Sequence, residues 1–149
     1  MFVQAFLEGI VIALGALVFE LSILFAFNLP SSDKSLISLF ICVAIEEILK
    51  YSLIYNKYLH ADKKEKIPYI AFFIGLGFSS IELFLKQIDY QKTSPFYILG
   101  LFFIHALTAS IIGFFLQKKP FKTKFSIAML LALVIAIHFC YNFLIIRYF

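Results

Sequence analysis

The sequence predicts an all-α, polytopic membrane protein: a bundle of about five transmembrane helices forming one domain over residues 1–149. Hydrophobic residues make up 62% of the chain and charged residues only 15%, against roughly 25% charged in a soluble domain. The apolar residues fall into five runs, each close to or above the roughly 20 residues that a helix needs to cross a bilayer. None of the runs alternates apolar and polar as a membrane β-strand would, which argues against a barrel.

The first run, Phe2–Leu29, has no basic leader, and its apolar core is longer than that of a signal peptide, so it reads as a retained helix. The second, Ser35–Tyr55, is interrupted by Glu46, Glu47 and Lys50. Glu82 lies in the third, Ile67–Leu85, and His105 in the fourth, Phe96–Leu116. The fifth, Phe125–Ile146, carries His138 and Asn142. Short polar connectors join them: Pro30–Lys34, Asn56–Lys66, Lys86–Pro95 and Gln117–Lys124. No internal repeat, low-complexity tract or appended soluble domain is visible.

The net charge of +4 comes from lysines in the connectors, which points to membrane orientation and not to nucleic-acid binding. Lys57, Lys63, Lys64, Lys66, Lys118, Lys119, Lys122 and Lys124 fall on one side, against Lys34, Lys86, Lys92 and Arg147 on the other. That asymmetry predicts a cytoplasmic N-terminus and a C-terminus outside. Cys42 and Cys140 lie within runs and read as small buried hydrophobes, not as a disulfide or a nucleophile.

Ionisable groups inside a bilayer each cost about 2.5–3.5 kcal/mol on insertion scales, so each one needs a reason. The midpoints of the second to fifth runs fall near residues 45, 76, 106 and 136. At about 1.5 Å per residue, Glu46, His105 and His138 share one depth. Glu82 lies further along its run but leans back toward the centre, as helical side chains do. Glu46 is the i,i+4 partner of Lys50 and Glu47 its i,i+3 partner. The two glutamates point about 100° apart, so one can pair with the lysine while the other faces a cavity. His138 and Asn142 share a face, while His105, Ala109 and Gly113 form a stripe along which a neighbouring helix can pack closely. Glu8, near the interface, reads as a snorkelling residue, and the deeper Glu20 is left without an assigned role.

A carboxylate with imidazoles in a buried, water-accessible cavity can act as a general base on water. An imidazole and an amide on one face can donate to a developing oxyanion. The same residue types also suit a divalent metal such as zinc, with Glu46, Glu82, His105 and His138 as candidate ligands, although no local H-E-x-x-H pair is present. Taken singly, each residue also has a plain structural reading, as an internal ion pair or as a hydrogen bond between packed helices.

Four segments, EEILK (Glu46–Lys50), GLGFSSIE (Gly75–Glu82), HALTASIIG (His105–Gly113) and HFCYN (His138–Asn142), occur in order on successive runs. Together they resemble the EExxK, GxxFxxxE, HxxxxxxxG and HxxxN blocks of the PrsW family of intramembrane proteases, within the type II CAAX-prenyl-protease-like superfamily. Leu83 follows Glu82 where many members of that family carry Asn. The resemblance implies that Glu46 activates water, with Glu47 and Lys50 beside it. It further implies that Glu82 and His105 complete the water or metal site, and that His138 and Asn142 stabilise the tetrahedral intermediate. The implied substrate is a membrane-anchored protein, such as an anti-sigma factor, cut near the bilayer. Two other classes fit the same residues: a non-catalytic assembly or chaperone-like subunit, and a small proton-coupled transporter.

Overall fold

The computed structural model describes residues 1–30, 35–89, 95–118 and 123–148. Among them five long helices follow in order: α1 Phe2–Ala26, α2 Leu36–His60, α3 Ile67–Asp89, α4 Pro95–Gln117 and α5 Lys124–Tyr148. A 3₁₀ turn, Lys64–Lys66, leads into α3, and no strand occurs among the described residues.

The helix ends follow from local chemistry. Asn28, at φ 50°, takes the left-handed conformation that Asn tolerates. The amides of Asn28 and Leu29 then reach back to the carbonyls of Phe25 and Leu24 at 3.2 and 2.9 Å. That Schellman pairing closes α1, and Pro30 follows it. Ser35 caps α2, its hydroxyl accepting from the Ser38 amide at 3.4 Å. Lys57 and His60 in the last turn of α2 complement the negative end of the helix dipole. This helix therefore runs five residues past the expected end at Tyr55, and the connector after it is correspondingly shorter.

Four of the helices (α1, α3, α4 and α5) are long and apolar enough to cross a membrane. α2 is as long as α1 but carries Glu46, Glu47 and Lys50 at its middle. Those charges are turned into the bundle, while large apolar side chains such as Val3, Val11, Phe103 and Met129 are exposed on its outside. Polar groups inside and apolar groups outside are the distribution of an integral, multi-pass membrane protein.

The core between α1, α3 and α4 is built on close backbone approach. A Cβ at Gly77 would run into the Phe6 carbonyl of α1, and one at Gly75 into the backbone of His105 and Ala106 on α4. Small residues at these crossings let side chains further along α3 reach α4. On α4, the Ala109 and Gly113 positions of the expected stripe are buried, and Gly113 lies against Pro68 and Ala71 of α3.

Two expectations change. Glu8 is not a lone snorkelling group: Lys57 on α2 donates to it at 2.6 Å and Gln4 at 2.9 Å, tying the start of α1 to the end of α2. Both cysteines are free, but only Cys42 is buried. Cys140 is exposed because it lies two residues, about 200° around the helix, from the inward-facing His138. Of the basic residues that predict orientation, Lys34, Lys92, Lys119 and Lys122 lie outside the described residues.

Candidate active site

α2 runs through the bundle with its polar stretch facing α3, α4 and α5, and one side chain or more from each of these three helices meets it. Glu47, Lys50, His105 and His138 are fully buried at 0% exposure, while Glu46 retains 9%. Burying so many ionisable groups is tolerable only where they satisfy one another.

Lys50 is the hub. Its ammonium has three N–H donors. They go to Glu47 Oε1 at 2.5 Å, His105 Nδ1 at 3.1 Å and Thr108 Oγ1 at 3.2 Å. The ring of Phe78 lies under the same ammonium, 5.0 Å from nitrogen to centroid. Glu47 Oε1 gathers two further donors, His138 Nδ1 at 2.7 Å and the Thr108 hydroxyl at 3.2 Å. The charge of Glu47 is thus held by a cation, an imidazole and a hydroxyl from three different helices.

These partners assign the imidazole tautomers. Facing an ammonium, His105 Nδ1 must accept, so His105 carries its proton on Nε2 and donates it to Glu82 Oε2. His138 donates from Nδ1 to Glu47, and its Nε2 accepts from Asn142 Nδ2 at 3.3 Å. The two rings meet edge to face, with centroids 4.7 Å apart and planes at 83°. Each histidine is oriented from both ends.

Glu46 stands apart from this network. Its Oε2 is buried with no hydrogen-bond partner among the described residues, 3.6 Å from His138 Nδ1. The other carboxylates within electrostatic reach are Glu82, Glu20 and Glu47. Of the two glutamates in EEILK, Glu47 therefore takes the lysine, and Glu46 keeps only its 3.6 Å approach to His138.

All seven residues singled out in the sequence, Glu46, Glu47, Lys50, Glu82, His105, His138 and Asn142, converge on this one cluster. Sequence reasoning missed Thr108, whose only signal was its position three residues after His105 on the same helical face. It also left Glu20 without a role. The Glu20 side chain on α1 lies within electrostatic reach of Cys42, one turn before Glu46 on α2, and of Glu46 itself.

The donor set was tested for a metal. Glu46, His105 and His138 each offer a ligand atom, and these atoms all lie within 4.8 Å of one another. Ligands at about 2.0–2.2 Å from a shared zinc can be at most roughly 4.4 Å apart, so the set fits only after a small closure and after one nitrogen of each histidine is released from its present hydrogen bond. Glu82 is not one of the three; it holds the Nε2 side of His105. The Lys50 ammonium already supplies a positive charge against His105.

A scan against protein-family models, a search of curated proteins and a search of solved structures found no match to this chain.

Proposed function

We propose that the chain is an intramembrane endopeptidase, similar in its motif order to the PrsW family, that cleaves membrane-anchored protein substrates. The observation that carries this reading is the unequal treatment of two adjacent glutamates: Glu47 Oε1 takes three donors, whereas Glu46 Oε2 takes none and stays 3.6 Å from His138. Glu47 Oε2 also lacks a hydrogen-bond partner among the described residues, but the Glu47 charge is held through Oε1 by three donors, and none of those donors reaches Glu46.

In this mechanism Glu46 removes a proton from a water molecule as its oxygen attacks the peptide carbonyl. The second N–H of the Asn142 amide, on the His138 face, donates to the oxyanion. Glu46 then delivers the proton to the departing amine as the carbon–nitrogen bond breaks, which returns the carboxylate to its starting state. Lys50 and Thr108 keep Glu47 charged and fixed, and Glu82 holds the His105 ring. If the enzyme uses a metal, Glu46, His105 and His138 would hold it, and the ion would polarise the carbonyl and activate water.

α2 crosses the membrane with the other four helices, its charges covered by them. The lysine asymmetry supports an N-terminus on the cytoplasmic side and a C-terminus outside. An anti-sigma-factor-like membrane protein is the substrate that the resemblance suggests.

The test is reconstitution in liposomes with a reporter that carries one membrane-anchored segment, comparing wild type with Glu46→Gln and His138→Ala. Cleavage that survives both changes removes the endopeptidase reading. One observation favours a second reading, proton-coupled transport: Glu82, His105, Lys50, Glu47, His138 and Asn142 form an unbroken hydrogen-bonded line. Proton flux in the same liposomes without cleavage would select it.

A further inference from the structure

Lys50 has two carboxylates within reach on its own helix, Glu46 one full turn back and Glu47 three residues back. The spacing alone does not choose between them. In the folded protein the ammonium has three donors and three acceptors, and the third acceptor is the hydroxyl of Thr108 at 3.2 Å. That hydroxyl also donates to Glu47 Oε1 at 3.2 Å, so it bridges the ammonium and its chosen carboxylate. Thr108 is fully buried.

We propose that Thr108 is a positioning residue that occupies the third donor of Lys50 and so keeps the lysine on Glu47 and off Glu46. Take the hydroxyl away, and Lys50, fully buried, holds an unused N–H, and a buried orphan donor is costly. Glu46 Oε2 is a buried acceptor with no hydrogen-bond partner among the described residues, 3.6 Å from His138 Nδ1, and Lys50 already acts on that carboxylate electrostatically; Glu47 Oε2 is the competing open acceptor. The lysine then turns to Glu46, and the free carboxylate becomes an ion-paired one. Thr108 touches no reacting atom; it acts by deciding which of two glutamates holds the lysine.

The kinetic part of this inference rests on the endopeptidase reading, and the choice of partner does not. The experiment therefore has two arms on the full chain in liposomes, using wild type, Thr108→Val, Thr108→Ala and Thr108→Ser. Val keeps the shape without the hydroxyl, Ala removes the hydroxyl without adding bulk should Val fail to fold, and Ser restores it. In the first arm the liposomes are treated with a hydrophobic carbodiimide, which labels buried carboxyl groups free of a cationic partner, and the modified glutamate is located by mass spectrometry. Wild type and Thr108→Ser are expected to be labelled at Glu46; Thr108→Val and Thr108→Ala are expected to lose that label, while Glu47, still held by Lys50 and His138, stays unlabelled in all four. In the second arm, kcat for the reporter falls by about tenfold or more in the Val and Ala variants, returns with Ser, and KM stays within about twofold, since a general base contributes to the chemical step.

Label that stays on Glu46 in both hydroxyl-free variants overturns the proposal, because the freed donor has then gone elsewhere, for instance to Glu47 Oε2. Activity lost equally in Thr108→Ser overturns it as well. Loss of the Glu46 label in the hydroxyl-free variants of a protein whose wild type cleaves nothing leaves the choice of partner standing and removes the endopeptidase reading.

Discussion

Lys50 bonds Glu47 at 2.5 Å although Glu46 occupies the i,i+4 position, the spacing usually favoured for a glutamate N-terminal to a lysine. The reason lies outside α2. His138 and Thr108, from α5 and α4, both donate to Glu47 Oε1, so Glu47 is where the positive and hydrogen-bonding groups of three helices converge. Glu46 points to the edge of that cluster and keeps a little exposure.

That division predicts opposite behaviour for two neighbouring positions. Glu46→Gln removes a carboxylate that supports no hydrogen bond through Oε2, so the fold should tolerate it. Turnover of the membrane-anchored reporter should fall by roughly 10²–10⁴-fold, the usual contribution of a general base. Paired measurements of thermal unfolding in detergent and of cleavage check this. Retained turnover moves the base elsewhere.

Lys50→Met should do the reverse to stability. It leaves the fully buried Glu47 without its cation, and breaking such a pair from one side costs about 3–5 kcal/mol. A loss below about 1 kcal/mol, read from unfolding in mixed micelles, would show that the pair is not what holds α2 among its neighbours.

Exhaustive chelation followed by dialysis should leave cleavage unchanged if Glu46 acts on water without a metal. Activity lost on chelation and restored by zinc would instead assign Glu46, His105 and His138 as ligands. In that case a His105→Ala variant should bind zinc measurably less tightly, a readout independent of turnover.

Two glycines give a built-in contrast. Gly75→Ala places a Cβ against the backbone of His105 and Ala106, and overpacking of this kind costs about 1–3 kcal/mol. It should also pull Glu82 away from His105 and lower turnover. At Gly15 a Cβ meets nothing within 4 Å, so Gly15→Ala should be neutral or stabilise α1 by about 0.5–1 kcal/mol. Equal effects at the two positions would refute the close α3–α4 contact.

The sequence by itself determined the helical membrane architecture, because five apolar runs of spanning length admit few alternatives in lipid. It also singled out the ionisable members of the buried cluster: such residues inside apolar runs are expensive, so Glu46, Glu47, Lys50, Glu82, His105 and His138 stood out without any structure. The tertiary structure decided the allocation of partners. Lys50 had two glutamates within reach along one helix, and the donors that favour Glu47 over the i,i+4 partner, on Thr108 and His138, come from residues 58 and 91 positions further along the chain than Lys50 and Glu47. Thr108 was silent in the sequence because a threonine costs little in a membrane helix, and Glu20 and Glu8 were unassigned because their partners, Cys42 and Lys57, lie on the next helix. Local spacing fixes which side chains share a face; only the packing of helices fixes which of them takes the proton, the charge or the bond.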